Sequence, residues 1–201
     1  MNTQLMDMPN ACFDHGQARS LLTLTRTLKL RSPDTYQHSL RVARISYELA
    51  KAMNYSDEDC EIVYVSGLMH DIGKLLLPET ILEKPTKLTL EEFKKVRKHP
   101  EWGCCMLEQI KGWEASPVPK YVLYHHERFD GKGYPYGLKA ESIPEPSQII
   151  SIADAFDVMI TGRTYTDSKP QDVICNEIDR NRGKQFNPKV VDVFLEMIRS
   201  E

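Results

Sequence analysis

Apolar residues recur at helical spacing along almost the whole chain, and one glycine-rich stretch is the only long break. Leu21, Leu22, Leu24, Leu28 and Leu30 outline a first apolar face, and Leu40, Val42, Ile45, Leu49 and Ala50 a second. Ile62, Val63, Val65, Leu68 and Met69 give a third that leads into His70. Start signals agree with this spacing. Ser32-Pro33-Asp34 reads as cap, first-turn proline and dipole-matching acid. Ser56 opens the next helix, and Thr89 followed by Glu92 reads as a capping box for a helix running to about Ile110. Pro117 to His126 fits a short helix and Pro146 to Ile160 a longer one. Two more follow Ser168-Lys169-Pro170 and Asn187-Pro188. Phe129 to Ser142, with three glycines and Pro135, must be a loop. No strand pattern, repeat or low-complexity tract interrupts this. The expectation is a single all-α domain over 17–201, a helical bundle with one extended loop, preceded by a polar, flexible arm over 1–16.

Composition excludes several classes. A net charge of −3 argues against a general DNA- or RNA-binding surface, although a small phosphorylated ligand could meet local charge. No apolar run is long enough to span a bilayer, and Met1 to Phe13 lacks the basic start and apolar stretch of a signal peptide. The five cysteines, Cys12, Cys60, Cys104, Cys105 and Cys175, form no CxxC pair. They read as free thiols of a cytoplasmic protein. Nothing in the sequence fixes the oligomeric state.

The chemistry lies in the histidines and two aspartates. Of six histidines, five (His38, His70, His99, His125 and His126) fall within or at the ends of expected helices. Asp71 follows His70 directly, and Asp154 sits inside an apolar helix, where a charge is costly unless paired or metal-bound. Singly, each has an ordinary alternative as a hydrogen-bonded or surface residue. Jointly they form seven candidate nitrogen and oxygen ligands without thiolates, a set suited to first-row divalent ions. One metal would be over-supplied, whereas two bridged by a carboxylate would use the set and could hold a bridging hydroxide for displacement at phosphorus.

The segment HHERFDGKGYP, His125 to Pro135, fits the HHExxDGxGYP signature of the HD-GYP family at all eight fixed positions. GLMHDIGK, Gly67 to Lys74, resembles that family's HD motif with its following lysine. His38 in HSLRV, His99 in KHPEWG and Asp154 in SIADAFD fall where the family has its remaining ligands. The resemblance spans about Ser32 to Leu195 and implies an HD-type helical bundle with a GYP loop.

It also implies a phosphodiesterase that linearises cyclic di-GMP or 3′,3′-cyclic GMP-AMP, in some members cutting the linear product further. On that basis Asp71 bridges two divalent transition metals. His70, Asp154 and His38 complete one, and His99, His125 and His126 the other. Iron or manganese lead, with nickel, cobalt and zinc as further candidates. Asp34, one turn before His38, is either a helix-start acid or a ligand for a less favoured third metal. Lys74 touches the scissile phosphate or leaving oxygen, and Tyr134 and Arg163 bind substrate. Glu127, Asp130, Gly131, Gly133 and Pro135 shape the loop.

Where family members read close to DRPYR, this chain has Thr164 and, in place of a cation, Thr166, which leaves the dinucleotide preference open. Two rivals remain: a mononucleotide phosphohydrolase of HD type, and a catalytically weak module that binds the dinucleotide or docks a GGDEF-type cyclase through the GYP loop. Sensor or receiver domains common in the family do not fit within 201 residues, so the chain reads as a free-standing domain or a fragment.

Overall fold

The structure, a computed structural model, describes residues 13–82, 84, 86–113, 115–162 and 170–200. Among them are ten α-helices and no named strand. They are α1 (His15–Arg31), α2 (Pro33–Ala52), α3 (Asp57–Met69), α4 (Glu79–Leu82) and α5 (Leu90–Val96). Then come α6 (His99–Glu108), α7 (Val118–Leu123), α8 (Glu145–Thr161), α9 (Gln171–Arg180) and α10 (Pro188–Arg199).

Helix α1 starts six residues before Leu21, the first residue of its apolar face. Its polar first turn is held by a capping box: Asp14 accepts from the Gln17 backbone at 2.8 Å, and the Gln17 side chain accepts from the Asp14 backbone at 2.7 Å. Leu30, expected on the apolar face, is 86% exposed, because the buried stripe of this helix runs through Leu21, Thr25 and Leu28. Pro33 and Asp34 open α2 as expected, but Ser32 does not cap it; its hydroxyl pairs with that of Thr35 at 2.8 Å. Asn54, at φ 62°, takes the left-handed conformation that stops the helix.

Helices α2 and α3 are the centre of the bundle. On one side Leu49, Ala50, Cys60 and Val63 bury against Ile149, Ile152 and Phe156 of α8, Ile174 and Ile178 of α9, and Phe194 of α10. On the other, Ala43, Val65, Leu68 and Met69 meet Leu21 and Leu28 of α1, Leu107 of α6 and Val122 of α7. Each fully buried large aliphatic or aromatic side chain contributes roughly 1.5–3 kcal/mol. The two cores clamp α2 and α3 from opposite sides and fix the ends of α3, α6 and α7 near one another.

The single helix expected from Thr89 to Ile110 is two, α5 and α6, parted at Arg97 and Lys98. The Thr89–Glu92 capping box is present. Pro100 supplies the break, because it has no N–H to offer the Val96 carbonyl four residues earlier. That carbonyl bonds His99 Nδ1 instead, at 2.7 Å. The loop between α7 and α8 is irregular apart from a 3₁₀ turn at Ala140–Ser142.

Candidate metal centre

Three histidines on different elements repeat one local device. His70 at the end of α3, His99 at the start of α6 and His125 after α7 each place Nδ1 on the carbonyl three residues earlier. The partners are Gly67 at 2.7 Å, Val96 at 2.7 Å and Val122 at 2.6 Å. A carbonyl only accepts, so Nδ1 carries the hydrogen in all three and Nε2 keeps its lone pair. These Nε2 atoms converge. His99 Nε2 lies 3.3 Å from His125 Nε2 and 3.2 Å from Asp71 Oδ1, while His70 Nε2 lies 3.4 Å from Asp71 Oδ2.

His38 joins from α2 through a different anchor. Its Nδ1 donates to Asp157 Oδ2 at 2.7 Å, and its Nε2 faces Asp154 Oδ1 at 3.1 Å and Asp71 Oδ2 at 3.8 Å. Asp157, 1% exposed, also receives Arg41 Nε at 2.6 Å and Nη2 at 3.0 Å. No reading of the sequence picked out Asp157 or Arg41. The available signal was spacing: Asp157 stands three residues after Asp154, and Arg41 three after His38, on the same helix faces. The carboxylate fixes the tautomer and ring angle of His38.

The potential ligand atoms fall into two groups, His99, His125 and His126, and His38, His70 and Asp71. Asp71 joins them, with Oδ1 toward His99 and Oδ2 toward His38 and His70. Lys74 Nζ reaches the same Oδ2 at 2.6 Å. Asp154 faces the His38 side. All seven ligand candidates are therefore assembled from α2, α3, α6, α7 and α8 and the turns that end them. Asp34 is exposed in the first turn of α2 and belongs to neither group. Arg163 lies outside the described residues, as do Thr164 and Thr166.

Electrostatics favour a cation here. Burial pushes His99 down to about 3 and His126 to about 4, and His125 also well below its usual value, so all three are neutral donors near pH 7. Burial would raise Asp71, but Lys74, His70 and His99 hold its carboxyl well below the usual range. Asp154 is likewise depressed: the bond from His38 and the charge of His70 outweigh its burial. Burial disfavours a proton on His38, yet Asp154 and Asp157 raise it to about 9, so Nε2 can bind a cation only by releasing that proton. His70 Nε2 is buried without a hydrogen-bond partner, and two lone pairs face each other between His99 and His125. Apart from the His38 proton, which a cation must displace, these imidazoles and carboxylates aim at common points with no proton between them, which fits divalent ions.

The loop from Glu127 to Pro135 wraps the His126 side. Buried Glu127 accepts from three backbone N–H groups, Tyr136 at 2.7 Å, Gly137 at 3.1 Å and Leu138 at 3.0 Å. Asp130 accepts from Arg128 and from the Lys132 backbone, which closes the turn. Gly131 has φ 79°. At Gly133 a Cβ would stand 2.4 Å from Arg128 N and 2.5 Å from Glu127 Cα, so only glycine fits. The Tyr134 ring lies 4.7 Å from that of His126 at 30°, and the bond following Tyr134, to Pro135, is cis.

The chain is similar to known proteins over most of its length. A family model described as an HD domain matches residues 23–190. A cyclic di-GMP phosphodiesterase of Thermotoga maritima is 36% identical over 167 residues, covering 83% of this chain and 45% of that protein. A 3′3′-cGAMP-specific phosphodiesterase of Vibrio cholerae is 33% identical over 173 residues, covering 86% of this chain and 33% of the relative. This chain thus spans less than half the length of either. The crystal structure of a cyclic GMP-AMP specific phosphodiesterase of Vibrio cholerae superposes with a TM-score of 0.67 at 16% identity, over 92% of this chain and 48% of that one. No described helix is long and apolar enough to cross a membrane.

Proposed function

Because the chain belongs to the HD domain family and carries the HD-GYP motif set, we propose that it is a metal-dependent phosphodiesterase that opens a cyclic dinucleotide to its linear form. The observation that carries this is the convergence of Nε2 atoms on the two oxygens of Asp71, with Lys74 beside them. His99, His125 and His126 would hold one divalent ion and His38, His70 and Asp154 a second, with Asp71 shared. Iron and manganese suit these donors best; the exposed Asp34 is not needed. Such ions act as Lewis acids at a phosphodiester and make water a competent nucleophile at neutral pH.

The protein's own groups do the rest. The carbonyl and Asp157 anchors keep the imidazoles aimed before substrate arrives, which removes reorganisation from the reacting state. Lys74, fixed on Asp71, holds a positive charge and protons next to the cage, where it can meet a non-bridging oxygen or the departing 3′ oxygen. Tyr134, braced on His126, would turn its hydroxyl edge toward the remainder of the substrate. Arg163, from its sequence position, completes the substrate contacts. Relatives bearing the names of both cyclic di-GMP and 3′3′-cGAMP phosphodiesterases keep both substrates in the proposal.

A completed donor set favours catalysis over a purely binding role. The exposed Tyr136, Lys132 and Lys139 on the loop leave room for a GGDEF-type partner as an added role. The test offers cyclic di-GMP, 3′,3′-cyclic GMP-AMP and mononucleotides side by side to manganese- or iron-loaded protein, with Asp71→Ala as control. Linear dinucleotide should appear and vanish in the control. Mononucleotide hydrolysis without cleavage of either cyclic dinucleotide would overturn the proposal in favour of the rival phosphohydrolase.

A further inference from the structure

The break between α5 and α6 does more than aim His99. Two residues before it, Arg97 is exposed and lays its guanidinium 4.4 Å from the centroid of the Tyr134 ring. The same ring also neighbours His126, at 4.7 Å. Contacts therefore run from His126 at the cage through Tyr134 to the exposed Arg97, which carries a fixed positive charge.

The nearest acids on α5 are already engaged: Glu91 pairs with Lys94 at 2.8 Å and Glu92 with Lys84 at 2.6 Å. Among the described residues no carboxylate pairs with Arg97, and exposed Lys98 and Lys132 stand on the two segments that carry these contacts. In a chain of net charge −3 this is a local concentration of positive charge.

A guanidinium held over an aromatic ring still has its N–H fork to offer an acceptor. That fork matches two oxygens of a phosphate, with charge-assisted bonds that a flexible ammonium does not reproduce. We infer that Arg97, with Tyr134 as its platform, binds the second, uncut phosphodiester of the cyclic dinucleotide while the scissile one lies at Asp71 and Lys74. The inference rests on the phosphodiesterase reading above and adds a specificity element to it. A substrate with one phosphate meets the cage alone; a cyclic dinucleotide meets the cage and the arginine.

The test compares a cyclic dinucleotide with bis(4-nitrophenyl) phosphate, a diester that has no second phosphate. Arg97→Gln should raise KM for the cyclic dinucleotide about 10- to 100-fold with little change in kcat. The loss should exceed that on bis(4-nitrophenyl) phosphate by at least about 10-fold, the size of one charge-assisted bond. Calorimetry of cyclic di-GMP binding to the metal-free protein should show the same weakening and a shallower salt dependence. Arg97→Lys should recover only part, and Arg97→Met, which keeps an apolar contact on the ring, none.

Equal losses on both substrates would mean that Arg97 acts only through the loop and His126, and would overturn the inference. Retained affinity in Arg97→Gln or Arg97→Met would do the same. If wild-type protein cut bis(4-nitrophenyl) phosphate but neither bound nor cut any cyclic dinucleotide, the underlying functional reading would fall first.

Discussion

Replacing Glu127 by glutamine removes one charge and changes almost no volume, so it isolates what the carboxylate contributes to the loop. The wild-type side chain accepts three backbone N–H bonds, two on Oε1 (2.7 and 3.1 Å) and one on Oε2 (3.0 Å). A bond to a charged acceptor contributes about 1.5–3 kcal/mol and a neutral one about 0.5–1.5 kcal/mol. Glutamine keeps the two bonds to its carbonyl in weakened form and turns an NH₂ toward the Leu138 N–H, losing the third. The total comes to about 3.5–6 kcal/mol. The loop carries few buried apolar side chains and can open without the bundle, so the loss should appear first as local opening. Hydrogen exchange at the amides of Tyr136, Gly137 and Leu138 should quicken about 100-fold or more, with only a modest fall in Tm. Unchanged exchange at these three amides would refute the reasoning, because it would mean that the carboxylate does not hold the loop.

Other consequences follow from the same geometry. Asp157→Asn should weaken metal affinity about 10- to 100-fold, read by competition with a chromogenic chelator, because His38 loses the group that sets its tautomer; an unaltered affinity would contradict the anchoring role. Gly73→Ala would place a Cβ 2.0 Å from the His99 carbonyl oxygen and 2.6 Å from Gly103 N, both backbone atoms. Overpacking of this kind costs about 1–3 kcal/mol or more, and thermal melts together with metal titration should show both stability and binding reduced.

The pH behaviour of metal-free protein has a definite sign. His99 and His126 take protons in the unfolded chain near 6.5 but in the fold only near 3 and 4, so the unfolded state binds protons first and stability falls as pH drops through 6.5. His38 runs the other way: raised to about 9, its contribution is complete below 6.5 and lost as pH rises through 9. Melts from pH 4 to 10 should lose Tm toward both ends, and a flat profile below 6.5 would count against buried neutral imidazoles.

What the sequence disclosed followed from how each feature is encoded. The candidate ligands could be picked out because each sits in a short contiguous motif, and the loop because glycines and a proline leave a long segment no regular alternative. The α5–α6 break was missed although Pro100 is plain in the sequence. Reading it needed the fate of one carbonyl, that of Val96, which only the fold shows bonded to His99. Asp157 and Arg41 escaped for a related reason. Each looks like an ordinary helix-surface charge until α2 and α8 bring them together across more than a hundred residues of chain. Arg97 on Tyr134 likewise depends on a loop folding back over a turn. Contacts within a motif can be read in advance, whereas contacts between motifs wait on packing.

In the proposed reaction a metal-filled cage around Asp71 opens a cyclic dinucleotide. Titrating metal-free protein with manganese, while following bound metal and linear dinucleotide in the same samples, tests it most directly. No product is expected without metal, product should rise as the cage fills to two ions per chain, and folded Asp71→Ala should give none at any loading. Cleavage by the chelated protein at the wild-type rate, or a fully loaded and folded protein that leaves the cyclic dinucleotide intact, would contradict it.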